Sequence, residues 1–217
     1  MIHIVGDSHA PEIFRRAARY VGVPLCGLND NPELVIISQD CPTNPDGTRD
    51  LSAINMLVYM TLRAFKGPVV LTSQVPPGYT RRFNTERLYH QAETLRIKDA
   101  FERAINPEQH IVGCMNPDAP LPIAYHRWLE KFPAPIHKMS YEDAEYAKIA
   151  INVTLAHQVT LANALSERGA QFGVNWNNIK TVLQHDKRIG PHAYLDPGDW
   201  RESPHLLRDY VTFHEVS

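Results

Sequence analysis

Cysteine is scarce in this chain, and neither sign of charge dominates. The 217 residues include three cysteines, Cys26, Cys41 and Cys114. They are too few and too scattered for a disulfide framework, so a reducing, cytoplasmic setting is the default expectation. Lys and Arg number 22 against 24 Asp and Glu, a formal net charge of −2. That balance offers no electrostatic footing for a nucleic acid or a membrane surface, and neither is expected as a partner. No apolar run approaches the roughly 18–20 residues of a membrane span. The opening residues Met1-Ile2-His3-Ile4-Val5 contain neither a basic leader nor an apolar core of the signal type, so no targeting segment is expected. The eleven histidines form no H-x-x-x-H pair and the cysteines no C-x-x-C pair, and no metal site is expected. Internal repeats and low-complexity stretches are missing as well.

What is present is a chain long enough to bury most of its apolar surface, with 43% hydrophobic residues. Short apolar runs alternate with helical patterns. Ile2–Val5 reads as a first strand ending at Gly6, and Pro11–Tyr20 as a helix with proline near its first turn. Val23–Leu28 reads as a very short second strand, and the continuous run Leu34–Ile37 as a buried parallel strand. After the turn-rich Cys41–Asp50, a helix is expected over Leu51–Phe65 and a strand over Val69–Thr72. Thr85–Ala104 has helical character, His110–Cys114 reads as another strand, and Ile123–Lys131 as a short helix followed by an extended stretch to Met139. The alternation predicts an α/β layer on a parallel sheet with right-handed crossovers.

Ser140–Arg168 is the clearest element. Ser140 with Asp143 three residues on is close to a capping box, and Gly169 is a stop signal. Ala144, Ala147, Ile151, Leu155, Ala162 and Leu165 recur at three-to-four spacing on one face. A helix of about 28 residues, roughly 42 Å long, must pack over most of its length, as the spine of a second domain or as a dimer interface. Helices over Asn175–Gln184 and from Ser203-Pro204 to about His214 follow.

Several phrases, taken in order, resemble one family. They are Asp50-Leu51-Ser52 after the CPTNPDG loop, Thr72-Ser73-Gln74-Val75-Pro76-Pro77-Gly78, Ile97-Lys98-Asp99, the helix opening Ala144-Glu145-Tyr146-Ala147-Lys148-Ile149-Ala150-Ile151-Asn152, and Asp186-Lys187-Arg188-Ile189-Gly190. The order is similar to that of the UDP-glucose/GDP-mannose dehydrogenases, over about residues 33–209. The resemblance implies an abbreviated Rossmann-like parallel-sheet domain of NAD-binding type over residues 1–136. A helical dimerisation domain built on the one long helix would cover residues 137–217. It implies NAD as cofactor, a nucleotide sugar as ligand and a homodimer. It also implies roles. Lys148 and Asn152 match the family's Lys and Asn, and Asp209 its Asp. Arg188 matches the Arg that reaches the sugar of the partner subunit, and Glu93 a loop Glu. Tyr89 and Gln74 stand where the family has Glu and Thr, and Gly6 and Ser8 stand in the cofactor loop.

The departures from the family carry equal weight. The G-x-G-x-x-G fingerprint, whose glycines let the backbone approach a pyrophosphate, retains Gly6 but reads Ser8 and Pro11 at the other two positions. Asp30 is the one candidate for the acidic residue that would hold the adenosine ribose. His205 occupies the position of the nucleophilic cysteine in Ser203-Pro204-His205-Leu206-Leu207-Arg208-Asp209, so a thioester step has no thiol. No C-terminal nucleotide-binding domain is expected to follow. The expected chemistry is at most a two-electron oxidation or reduction of a sugar alcohol. The alternative is a pseudoenzyme acting as a binding or scaffolding dimer. A lesser reading takes Gly6-Asp7-Ser8 and Gly27-Leu28-Asn29-Asp30 as similar to blocks of the SGNH hydrolases, with Ser8 as nucleophile and Glu202-x-x-His205 supplying the base.

Overall fold

The structure is a computed structural model describing residues 1–214. It divides into two compact units, one formed by Met1–Pro42 and Arg49–Lys148, the other by Thr43–Thr48 and the chain from Ile149 onward.

The first unit is an α/β layer of the Rossmann type. Strands β1 (Ile2–Val5), β2 (Leu34–Ile37), β3 (Val69–Leu71), β4 (Leu88–Gln91), β5 (His110–Cys114) and β6 (Ile136–Ser140) lie side by side in chain order. β2, β3 and β5 are buried along their whole length, as expected of β-branched runs covered on both faces. Alternate residues serve opposite faces. Ile2, Ile4, Leu34, Ile36 and Val70 pack with helices α1 (His9–Tyr20), α3 (Ala100–Ile105) and α4 (Ile123–Leu129). Val35, Ile37, Val69, Leu71 and Leu88 pack with Ile54 and Val58 of α2 (Ser52–Ala64).

Two expectations are corrected. The strand read at Val23–Leu28 is a single parallel bridge between Ile2 and Leu25. Its backbone bonds Ile2 N–H to Pro24 O and Cys26 N–H to Ile2 O, each 3.0 Å, are followed at once by a turn at Gly27 into the 3-10 helix Leu28–Asp30. Pro24 has no N–H to extend the ladder. The helix read at Thr85–Ala104 opens instead as β4, with Leu88, Tyr89 and His90 buried in succession. β4 runs parallel to β3 but antiparallel to β5, so the sheet is mostly rather than wholly parallel.

Helix α5 (Tyr141–Ala170) begins at the expected place: Ser140 Oγ accepts from Asp143 N–H at 3.1 Å and donates to Asp143 Oδ2 at 2.7 Å. The division of the chain lies within it, after Lys148, whereas the expectation put the junction at residue 136. β6 pairs with β5 along its full length, and an added Cβ on Gly113 of β5 would lie 2.9 Å from Ala144 Cβ, so the start of α5 packs with the sheet. The buried stripe matches the expected one in part: Ala144 and Ala162 are buried and Ala147 is half-buried, but the covered face is shifted. Ile149, Asn152, Val153, Ala156, Val159 and Ala162 are buried, Ile151 and Leu155 are half-buried, and Leu165 is exposed.

In the second unit α6 (Trp176–His185) is capped by Asn175, whose side chain accepts from Asn177 N–H, and α7 (Pro204–His214) follows. The irregular stretch between them is tied to α5. Gln158 accepts from Tyr194 N–H, Asn163 exchanges two 2.8 Å bonds with the Gly198 backbone, and Trp200 Nε1 donates to Thr160 Oγ1. Ala156, Val159 and Trp200 form the core there, with Tyr194, Leu206, Leu207 and Tyr210 against it.

Candidate functional site

Open α/β sheets bind ligands in the crevice outside the carboxyl ends of their parallel strands. Here that edge carries Gly6-Asp7-Ser8 after β1, Ser38-Gln39-Asp40 after β2 and Thr72-Ser73-Gln74 after β3, and the three turns bond to one another. Ser38 N–H donates to Val5 O and Thr72 N–H to Ile37 O, at 2.9 and 2.8 Å. Gln39 N–H donates to Ser73 Oγ at 3.1 Å and Asp40 N–H to Ser8 Oγ at 2.9 Å. In return Asp7 N–H donates to Gln39 Oε1 at 3.2 Å, and His9 N–H, in the first turn of α1, donates to Asp40 Oδ2 at 3.3 Å. Gly6 has φ +134°, and a Cβ there would lie 1.9 Å from the Ser38 carbonyl oxygen. The glycine is therefore required by the packing of the β2 exit on the β1 turn, whatever ligand the turn meets.

The residues present do not fit the dinucleotide that the resemblance implies. Of the fingerprint positions, Gly6 is filled by the close Ser38 backbone, Ser8 by the Asp40 amide, and Pro11 is buried in the core. Of the amides at this turn that would face a pyrophosphate, that of His9, the first of α1, is taken by Asp40, and that of Asp7, just before the helix, by Gln39. Beyond β1, where the adenosine half would lie, the sheet is reduced to the Ile2–Leu25 bridge. Asp30, the candidate for the ribose, accepts from Gly27 N–H at 2.7 Å and so closes its own turn.

Ser8 fares no better as a nucleophile. Its hydroxyl is held by the Asp40 amide, and no histidine is bonded to it among the described residues. Burial pushes the Cys114 thiol up, which keeps it protonated and unreactive.

In the second unit the structure joins two of the expected residues. Asn152 Nδ2 on α5 donates to Asp209 Oδ2 on α7 at 2.6 Å, both side chains being buried. Arg208, not singled out from sequence, is buried beside them with Nε 3.8 Å from Asp209 Oδ1, and its Nη2 lies 3.4 Å from Nδ1 of the exposed His205. A buried arginine next to a buried aspartate is a signal that spacing cannot show, since i and i+1 on a helix diverge. Arg188 is 89% exposed and donates a two-pronged bond to the Asp186 carboxylate, at 3.0 and 2.7 Å. Lys148, the last residue of the first unit, is half-buried.

The remaining expected residues lie in the first unit. Tyr89 is buried in β4, its ring 5.4 Å from that of Tyr125, and burial raises its pKa. Glu93 folds back to accept from Leu95 N–H, and Gln74 is half-buried after β3. Glu145, another residue missed, is buried in the first turns of α5. Its carboxylate accepts from Gly78 N–H at 2.6 Å and Thr80 N–H at 2.8 Å. Burial is the main cause of its raised pKa. At the opposite edge of the sheet, where β5 reverses direction against β4, a cleft of about 720 Å³ is lined by Lys66, Asn84, Tyr89, Cys114, Asn116 and Leu121 among others. Among the described residues no helix is long and apolar enough to cross a membrane, and no cluster of three or more His, Cys, Asp or Glu could hold a metal ion.

Residues 142–200 match the sequence model of the UDP-glucose/GDP-mannose dehydrogenase family, central domain. The UDP-glucose 6-dehydrogenase of Streptococcus pneumoniae is 28% identical over 65% of this chain and 41% of that protein. The UDP-glucose 6-dehydrogenase of Haloferax volcanii is 27% identical over 88% of this chain and 50% of that protein. The chain thus spans half or less of the length of these curated relatives. The solved UDP-glucose dehydrogenase of Pyrobaculum islandicum superposes with a TM-score of 0.73 over 98% of this chain and 58% of that one, at 24% identity, a likeness of fold. With its Rossmann-type sheet, its long helix and the central-domain segment at residues 142–200, the chain is similar to the UDP-glucose/GDP-mannose dehydrogenases, and residues 142–200 match that family's central domain.

Proposed function

We propose that this protein is a non-oxidising member of that family, acting as a binding or scaffolding homodimer. The observation that carries the proposal is the half-sheet beyond β1, reduced to one bridge between Ile2 and Leu25. A dinucleotide lies across both halves of a doubly wound sheet, and here one half offers no crevice. Position 205, a histidine, supplies no thiol for a second oxidation. The dimer reading is supported by apolar side chains left in solvent on α5 and α6, namely Leu161 at 58%, Val182 at 67% and Ile179 at 38% exposed. The binding reading is supported by the 720 Å³ cleft, within the usual range for small-molecule sites. Calorimetric titration with NAD and NADH to millimolar concentration, run beside light scattering on the same preparation, tests both parts. The expected result is a dimer with no saturable dinucleotide binding. Saturation by NAD would sink the non-oxidising reading, and a monomer the dimer.

A second reading, a two-electron enzyme acting on the alcohol of a nucleotide sugar, is favoured by the buried Asn152–Asp209 bond. There Lys148 would stabilise a developing oxyanion, Asn152 would position the sugar, and Asp209 with water would take the proton. Should turnover be found, Lys148→Ala at undiminished rate would remove that assignment.

A further inference from the structure

Resting on the reading that no dinucleotide is held, we infer that Asp40 is a built-in anion, which occupies the place at the N-terminus of α1 that a pyrophosphate would need. The first amides of a helix, with the positive end of its dipole, attract one negative group. α1 is a 12-residue helix, and at its start the group is supplied from within the chain. Asp40 Oδ2 accepts from His9 N–H at 3.3 Å while Asp40 N–H donates to Ser8 Oγ at 2.9 Å, so residues 8–9 and residue 40 are bonded in both directions. The neighbouring amide of Asp7 is taken by Gln39 Oε1 at 3.2 Å.

This contact does not depend on a chance rotamer of one exposed side chain, because the backbone brings the segment there. The Ser38 carbonyl sits so close to Gly6 that no side chain fits at that position, and Ser38 N–H is bonded to Val5 O at 2.9 Å. Asp40 therefore leaves β2 already seated over the β1–α1 turn. A pyrophosphate approaching the same amides would have to displace this carboxylate and then lie beside it. The Asp7 side chain adds a second negative charge to the turn. The glycine substitutions at Ser8 and Pro11 weaken phosphate approach passively, whereas Asp40 competes for the site.

The test is a gain of binding. Wild type, Asp40→Ala and Asp40→Ser are titrated with inorganic pyrophosphate at low ionic strength. Asp118→Asn, on the exposed loop after β5, serves as the control for net charge. Both Asp40 variants are expected to bind pyrophosphate about tenfold more tightly than wild type and the control, since a like charge leaves the helix end. Asp40 is exposed, and two replacements are used so that a folding defect in one leaves the other to decide. Affinity in the Asp40 variants no greater than in Asp118→Asn overturns the inference, and so does equal, saturable binding by wild type. Neither of those results bears on the wild-type NAD titration, whose success would sink the non-oxidising reading itself.

Discussion

Replacing Gly6 by alanine separates two explanations for the surviving glycine of the fingerprint, phosphate approach and internal packing. The packing explanation has a magnitude. A side chain at φ +134° carries strain of about 1–2 kcal/mol. The new Cβ would lie 1.9 Å from the Ser38 carbonyl oxygen, far inside the 3.0 Å that real Cβ contacts respect, and 3.1 Å from Pro11 Cγ. Ser38 is buried at the end of β2 and bonded to Val5 O, so relief requires moving a strand end, at about 1–3 kcal/mol for an overpacked core. Together the loss is expected to be about 2–5 kcal/mol, which at roughly 2–4 °C per kcal/mol for a chain of this size lowers the Tm by about 10 °C. Gly22→Ala is the control. Gly22 has φ +69° with nothing within 4 Å of an added Cβ, so only the conformational cost of about 1 kcal/mol applies. Thermal unfolding of both variants in the absence of any nucleotide decides. A Gly6→Ala variant no less stable than Gly22→Ala would refute the packing argument and return the glycine to phosphate binding.

Three further outcomes are expected. Glu145→Ala leaves the amides of Gly78 and Thr80 without their acceptor, and a loss of about 2–4 kcal/mol in chemical denaturation, with faster proteolysis near residues 76–84, would show it. His90 is buried on β4, its Nδ1 has no hydrogen-bond partner among the described residues, and burial pushes its pKa down from 6.5 to about 4. The unfolded chain then takes up this proton first, so stability falls as pH drops from about 6.5 to about 4, by up to roughly 3 kcal/mol. His90→Leu should flatten that window in pH-dependent unfolding, and an unchanged slope would sink the assignment. Asn152→Ala withdraws a donor from the buried Asp209 carboxylate and should cost about 1.5–3 kcal/mol, read as a lower unfolding midpoint.

Much of the architecture was legible because it depends on local chemistry. Leu34–Ile37 and His110–Cys114 are apolar runs that only a strand covered on both faces can use, and Ser140 with Asp143 marks the start of α5 without help from the rest of the chain. β4 was illegible for the opposite reason. Leu88-Tyr89-His90-Gln91 has no strong strand composition, and its place beside β3 and β5 is set by pairing partners far away in sequence. The buried stripe of α5 was legible only in part, at Ala144 and Ala162, because small residues recur on several of its faces and periodicity alone cannot say which face is covered. Of the expected site residues, the bond between Asn152 and Asp209 joins positions 57 residues apart, and the matching motifs pointed to both. Arg208 and Glu145 went unnoticed because their burial is a tertiary fact.

By itself the sequence determined the alternation of strands and helices, the long capped helix, the broken glycine fingerprint and the histidine at position 205, since each is a matter of residue type at a given spacing. Only the tertiary structure decided that Val23–Leu28 shrinks to one bridge, that β5 reverses against β4, and that Asp40 meets the His9 amide at the start of α1. Those outcomes depend on which distant backbone groups come within hydrogen-bonding distance, and a linear pattern of side chains does not specify that distance.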